Sequence, residues 1–281
     1  MENETEVREF ILLGLTNDRR QQQILFIFFL LLYIACLLGN GAILAIVLAE
    51  PRLHTPMYFF LGNLSYLDIC YSTVTVPKML SGFLVEHQFI SFIGCLAQLH
   101  FFHFLGGSEA MVLSVMAYDR YVAICNPLRY SVIMSKRVCF LLTVAIWSAG
   151  FIYGLMYSVV TSQVWFCGPN CVLHFMCDIK PLLKLACSST AFNHTFLNAI
   201  SGCSRWKAFS TCASHLTVVT VFLFPVVSNY TLASAGASSE REMIFTVLYS
   251  AVTPVLNPLI YTLRNQESCQ ITCLPLLVTL L

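Results

Sequence analysis

Asp119 and Arg120 stand side by side at the end of a long apolar run that begins near Ile93. An arginine at the lip of a membrane-length run is costly unless it is paired or reaches water, so by default it marks a functional site. Taken alone it reads equally well as a snorkelling interface charge. Two further carboxylates, Asp68 and Glu109, lie well inside apolar runs. There they either face a polar interior that can hold a cation, or one of them is protonated and hydrogen-bonded between helices. His100 and His103 are spaced as neighbours on one helix face. A zinc site wants about four ligands in tetrahedral array. Neither this pair nor the string His174-Phe-Met-Cys-Asp178 supplies them, so aromatic packing is the expectation for the two histidines. No nucleophile–base set, phosphate loop or metal cluster is visible in the sequence, which argues against an enzyme.

The elements that must position these groups are membrane helices. Of the 281 residues, 58% are hydrophobic and 10% charged, against roughly 45–50% and about 25% in a soluble domain. Mean hydropathy is +0.76. A span needs about 20 apolar residues, and six runs qualify: 24–48, 57–80, 93–118, 138–160, 209–231 and 243–261. The net charge of +1, with no long basic block, gives no sign of a nucleic-acid partner. The first 23 residues are polar and carry Glu2, Glu4, Glu6, Glu9 and Asp18. They do not read as a cleavable signal peptide, so the first run is expected to direct insertion. Arg129, Lys136 and Arg137 follow Arg120 with no acid among them, which favours that loop inside and the N-terminus outside. Asn3-Glu4-Thr5, a glycosylation acceptor, fits the same orientation. Of the thirteen cysteines, Cys36, Cys70, Cys125, Cys139 and Cys212 fall in or at the ends of apolar runs and are expected as buried thiols. Cys95, Cys167, Cys171, Cys177 and Cys187 fall near the oxidising side, where disulfides are allowed.

Met116-Ala-Tyr-Asp-Arg-Tyr-Val-Ala-Ile-Cys125 closely resembles the third-helix end of rhodopsin-like G-protein-coupled receptors, in the form used by odorant receptors. The resemblance extends over nearly the whole chain. It includes Gly39-Asn40, Leu53-His-Thr-Pro-Met-Tyr-Phe-Phe-Leu61, Asn63-Leu-Ser-Tyr-Leu-Asp68, Trp147, Lys207-Ala-Phe-Ser-Thr-Cys-Ala-Ser-His-Leu216 and Pro254-Val-Leu-Asn-Pro-Leu-Ile-Tyr261. It implies an all-α, polytopic helix bundle of the seven-helix receptor type in the plasma membrane. It implies a small, volatile, mostly apolar odorant as ligand, a heterotrimeric G protein as partner, surrounding lipid, and no cofactor beyond a possible sodium ion. Asp119, Arg120 and Tyr121, with Asn257, Pro258 and Tyr261, match the coupling and switch positions. Arg120 would pair with Asp119 at rest and meet the G protein when active. Pro258 permits a kink, which without the family would read as purely structural. Asp68 and Glu109 match a cation site. Phe102, His103, Gly106, Gly107 and Tyr249 match cavity-facing positions, with the two glycines leaving room against aromatic walls; each could equally be plain helix packing. Cys95 is expected to bridge Cys177, and Cys167 to bridge Cys187, with Cys171 as an addition that could disturb the second pair.

Three departures bear on activity. Between the fourth run and 209–231 the family has a fifth span. Here residues 191–203 are short and interrupted by Asn193, His194 and Asn198, which makes insertion unfavourable and predicts a truncated stub. The sixth span carries Leu223, Phe224 and Pro225 where the family has an aromatic followed by a small residue. After a receptor bundle over 1–267, the tail 268–281 has no basic residue and ends apolar, unlike the family's short basic helix. A non-signalling receptor remnant is therefore the alternative to a working receptor. A channel or transporter is a further one, though no inverted repeat is visible.

Overall fold

The structure, a computed structural model, describes residues 8–16, 18–85, 88–166, 170–187, 246–247 and 251–257. The expected stub at 191–203, the run 209–231, Tyr249, Pro258, Tyr261, Asn3, Cys167, Cys212 and the tail lie outside them.

Four long helices dominate. Asp18 caps α1 (Arg19–Ala49) by accepting from the Arg20 N–H, and Pro51 follows its end. Pro56, at the first position of α2 (Pro56–Leu84), is preset for a helix start. Ser91 caps α3 (Phe92–Cys125) by accepting from the Gly94 N–H at 3.1 Å. A single helical turn, α4 (Tyr130–Ile133), leads to α5 (Lys136–Ser162). Each long helix overruns the apolar run that announces it. Hydropathy marks only the hydrocarbon thickness, whereas backbone hydrogen bonding continues into the polar margin.

Outward-facing side chains on α1 are apolar at helical spacing: Ile24, Ile27, Phe28, Leu31, Ile34 and Leu38 are all exposed. Phe140, Leu141, Val144, Phe151, Ile152, Leu155 and Val159 make a similar face on α5. These two helices are long and apolar enough to cross a membrane. Buried contacts fall on the other faces. Leu64, Leu67 and Tyr71 of α2 are fully buried against Leu105, Val112 and Met116 of α3 and Ile146 of α5.

Helices α3 and α5 approach closely where Gly150 and Gly154 lie one turn apart. A Cβ on Gly154 would sit 2.5 Å from the His100 carbonyl oxygen and 3.0 Å from the Phe104 amide nitrogen. A Cβ on Gly150 would collide with Ser108 Oγ. Small residues that let helix backbones touch are a main source of packing in membrane bundles. Gly154→Val should therefore push the helices apart at a cost of about 1–3 kcal/mol or more. The expected result is a large loss of folded receptor in a thermal-stability assay on solubilised protein, with Gly154→Ala intermediate. A variant as stable as wild type would contradict this packing.

The sequence reading treated the first 23 residues as a polar lead-in. Instead, residues 9–12 form a strand, β1 (Glu9–Leu12). It lies between β2 (Gln88–Ser91) and β3 (Cys171–Val172), antiparallel to the first and parallel to the second. Phe10 and Leu12 are buried while Glu9 is exposed. That two-residue alternation is a strand signal. The helical turn α6 (Ile179–Leu183) completes this end of the bundle, called here the sheet end.

Candidate functional site

Three groups of predicted residues occupy three levels of the bundle. At the sheet end, Cys95 and Cys177 form a disulfide with Cα atoms 5.4 Å apart. The Cys177 N–H donates to Gln98 Oε1 at 3.0 Å. The loop just before Cys177 turns inward, so that Phe175 and Met176 are buried against Phe29 of α1, Val76, Met79 and Phe83 of α2, and Ala251. Cys187 is disulfide-bonded, and Cys171 is a free thiol. Of the expected buried thiols, Cys36 and Cys139 are buried, Cys70 is half-buried and Cys125 is exposed. Cys125 closes α3.

Below the loop lie the α3 residues expected to face a ligand. Phe102 is half-buried, with its ring 5.2 Å from Tyr71. His103 is buried and stacks on Tyr157 of α5 at 3.9 Å between ring centres. Its Nδ1 lies 2.9 Å from the Leu99 carbonyl oxygen. His100 instead packs edge-on against Phe101 and Phe151. Both histidines are thus held by aromatic rings, the packing expected of them without a four-ligand metal set. Gly106 is half-buried. Gly107 does not open onto free space on its α5 side: a Cβ there would meet Tyr153 Cδ1 at 3.0 Å.

Midway down, Asp68, Glu109 and Asn257 converge, and all three are buried. Asn257 Nδ2 donates to Asp68 Oδ1 and Oδ2 at 3.1 Å each and to Glu109 Oε1 at 3.0 Å. One level away, Asn40 Nδ2 donates to the Pro254 carbonyl at 2.9 Å. Asn40 Oδ1 is buried with no partner among the described residues. Sequence reasoning named Asn257 for a kink. Its meeting with both carboxylates depends on three helices coming together and has no local signal. Segment 251–257 starts against Phe175 and Met176 at Ala251 and reaches the carboxylates at Asn257. It therefore runs away from the sheet end, as α1 and α3 do.

At the far end Asp119 is buried, Arg120 half-buried and Tyr121 exposed. The expected Asp119–Arg120 pair is not formed, and among the described residues no ion pair joins them. Adjacent helix residues point in different directions, and the inward Asp119 is served by another donor. Tyr130 Oη, on α4, donates to Asp119 Oδ1 at 2.8 Å. Burial first, and then this bond, push the Tyr130 hydroxyl above its usual range, so it stays protonated and keeps donating. Tyr130 was not singled out from sequence, because only the fold of the loop after α3 brings it back. At this end of the bundle Ile124, Leu128 and Val132 are all strongly exposed, Leu128 at 97%.

The comparisons with known proteins follow the same arrangement. The family model described as olfactory receptor matches residues 29–196 and 189–276. Human "Olfactory receptor 12D1" is 50% identical, over 95% of this chain and 92% of its own length. Human "Olfactory receptor 12D2" is 50% identical over 95% and 96%, and mouse "Olfactory receptor 4E2" is 43% identical over 94% of each. The alignment with the first of these has 295 positions, while 95% of 281 residues is about 267, so about 28 aligned positions have no residue of this chain opposite them. The family model has to restart where its two stretches overlap, at 189–196. A match on this scale, on a helix bundle that joins Asp68, Glu109 and Asn257 at its centre, places the chain in the olfactory receptor family: seven-helix, G-protein-coupled receptors of the plasma membrane that detect odorants, and not enzymes.

Proposed function

We propose that the sheet end faces outward, with the N-terminus outside, and that a small, mostly apolar odorant binds beneath Cys177 against Phe102, His103, Gly106, Gly107 and Tyr249. Its binding is passed to a G protein at Arg120, flanked by Asp119 and Tyr121, with Asn257, Pro258 and Tyr261 as the bendable part of the last helix. Residues 1–267 make up the receptor bundle and 268–281 a separate tail. A bridge from Cys187 to Cys167 ties down the outer loop, and Asn3 is the glycosylation site. The observation that carries this reading is the position of Asn257. One amide nitrogen links α2, α3 and the last helix halfway between the two ends, so any tilt of that helix must change contacts on both.

The same centre fits a monovalent cation. Asp68 and Glu109 offer hard oxygen ligands, and one level away Asn40 Oδ1 is a further buried oxygen without a partner among the described residues. A sodium ion bound there would supply the positive charge that two buried carboxylates call for. Anything that binds the folded state alone stabilises it by mass action. Purified receptor should therefore melt ~3 °C higher in sodium than in an equal concentration of choline. Asp68→Asn should remove the difference. Equal melting of the wild type in both salts would exclude sodium.

A second reading, a receptor remnant that does not signal, is favoured by the roughly 28 aligned positions missing from this chain.

A further inference from the structure

The strand β1 is the middle strand of its sheet, and nothing in its length or position requires that of an N-terminal lead-in. The Ile11 N–H donates to the Asn170 carbonyl at 2.8 Å and the Leu13 N–H to the Val172 carbonyl at 3.1 Å. The Phe92 N–H donates to the Arg8 carbonyl at 2.9 Å, and Asn170 Nδ2 to the Glu9 carbonyl at 2.8 Å. Phe10 packs edge-on against Phe166 at 5.4 Å and tilted against Phe92 at 6.2 Å. With Leu12 it forms a buried cluster around Cys95, Cys177, Val172 and Leu182. The cystine is thus covered by the N-terminal strand. β3 runs from this cover into His174–Cys177, the stretch whose Phe175 and Met176 fill the gap between α1, α2 and Ala251 with Phe102 at their edge.

We propose that β1 is a roof over the ligand site. Phe10 and Leu12 are positioning residues that hold the loop of Cys171–Cys187 down on the bundle, and a ligand exchanges with the outer solution only when β1 parts from β2 and β3. This rests on the ligand site lying beneath Cys177 and on the sheet end facing outward. The loop is tied by the Cys95–Cys177 bridge, the disulfide at Cys187, the Gln98 contact, the burial of Phe175 and Met176 and the β1 ladder. Of these, the ladder can open and close without breaking a covalent bond or uncovering the helix core. A four-residue strand held by a handful of bonds belongs to the low-stability end of a structure, where local opening precedes global unfolding.

The covered cystine is a built-in reporter. In intact cells, a membrane-impermeant phosphine should reduce Cys95–Cys177 slowly in the wild type, read by alkylation and mass spectrometry. Phe10→Ala should speed this by about tenfold or more, the factor for losing the burial of one aromatic ring. Leu64→Ala, an equally buried change remote from the roof, should lower the amount of folded receptor but leave the rate in the folded fraction unchanged. The opposite intervention is a lock. Ile11 pairs with Cys171, a free thiol on the neighbouring strand, and neighbouring strands lie about 4.8 Å apart. In Ile11→Cys, a short bifunctional alkylator should join the two thiols irreversibly and slow reduction of the buried bridge below the wild-type rate.

A wild-type rate in Phe10→Ala, or no cross-link between Cys171 and the cysteine introduced at position 11, overturns the roof. If Phe10→Ala does not reach the surface, the lock alone decides. An inward-facing sheet end would show itself differently: the phosphine would spare the bridge in every variant until the cells were permeabilised, which would sink the orientation as well.

Discussion

Replacing Arg120 by alanine should abolish G-protein activation while leaving the amount of receptor at the surface within about twofold of the original. A loss of about a hundredfold or more is expected, the scale of removing one charged anchor from the centre of an interface. The structure sharpens the reason. Asp119 accepts from Tyr130, and among the described residues no ion pair joins it to the guanidinium. Arg120 is half-buried, at the end of the bundle where Ile124, Leu128 and Val132 are exposed. A cation at the same end of the bundle as exposed apolar side chains is suited to dock the end of a helix that carries both apolar side chains and free carbonyl groups. Arg120→Lys should recover only part of the activity, because an ammonium lacks the planar fork of a guanidinium. The measurement is G-protein nucleotide exchange in membranes, normalised to surface receptor. Unchanged exchange in Arg120→Ala would remove Arg120 from the coupling site. The comparison is best made in the repaired chain described next, where a signal is expected.

Restoring the missing positions should convert a weak or silent receptor into an active one, with a gain in cyclic-nucleotide output of about tenfold or more. The chain leaves the sheet end after Cys187 and is back against Phe175 and Met176 at Val247 and Ala251. Between those points it must cross the membrane twice or not at all. The run 209–231 supplies one crossing. The other falls to 188–206, nineteen residues that would span about 28 Å if fully helical, barely the hydrocarbon thickness. An extended crossing would leave backbone groups unpaired in lipid, at several kcal/mol each. The roughly 28 positions absent from this chain would, as a helix, add about 42 Å, enough for a full span with its margins. Inserting the corresponding residues of a relative at 189–196 is thus the repair. A ligand-driven response in the unrepaired chain as strong as in the repaired one would defeat the claim. A C-terminal tag open to protease in intact cells would instead show that only one of the two segments crosses.

Much of this protein was legible in the sequence. Hydropathy located the four long helices of the first half, because a segment that crosses lipid must be apolar for about 20 residues whatever its neighbours are. Hydropathy did not give their ends; the structure sets these at Asp18, Pro56 and Ser91, groups that act within one turn. The family strings named Asp68, Glu109, Arg120 and Asn257 as the residues that matter, and the Cys95–Cys177 bridge followed from the same resemblance. What the tertiary structure alone decided is which of these groups meet. That Asn257 binds both carboxylates, that Tyr130 and not Arg120 serves Asp119, and that Tyr153 fills the space beside Gly107 all depend on contacts between distant segments. The strand at Glu9–Leu12 shows the same division. Its alternation is written in four residues, but a strand so short is stable only between partners, and those partners lie about 80 and 160 residues further along the chain.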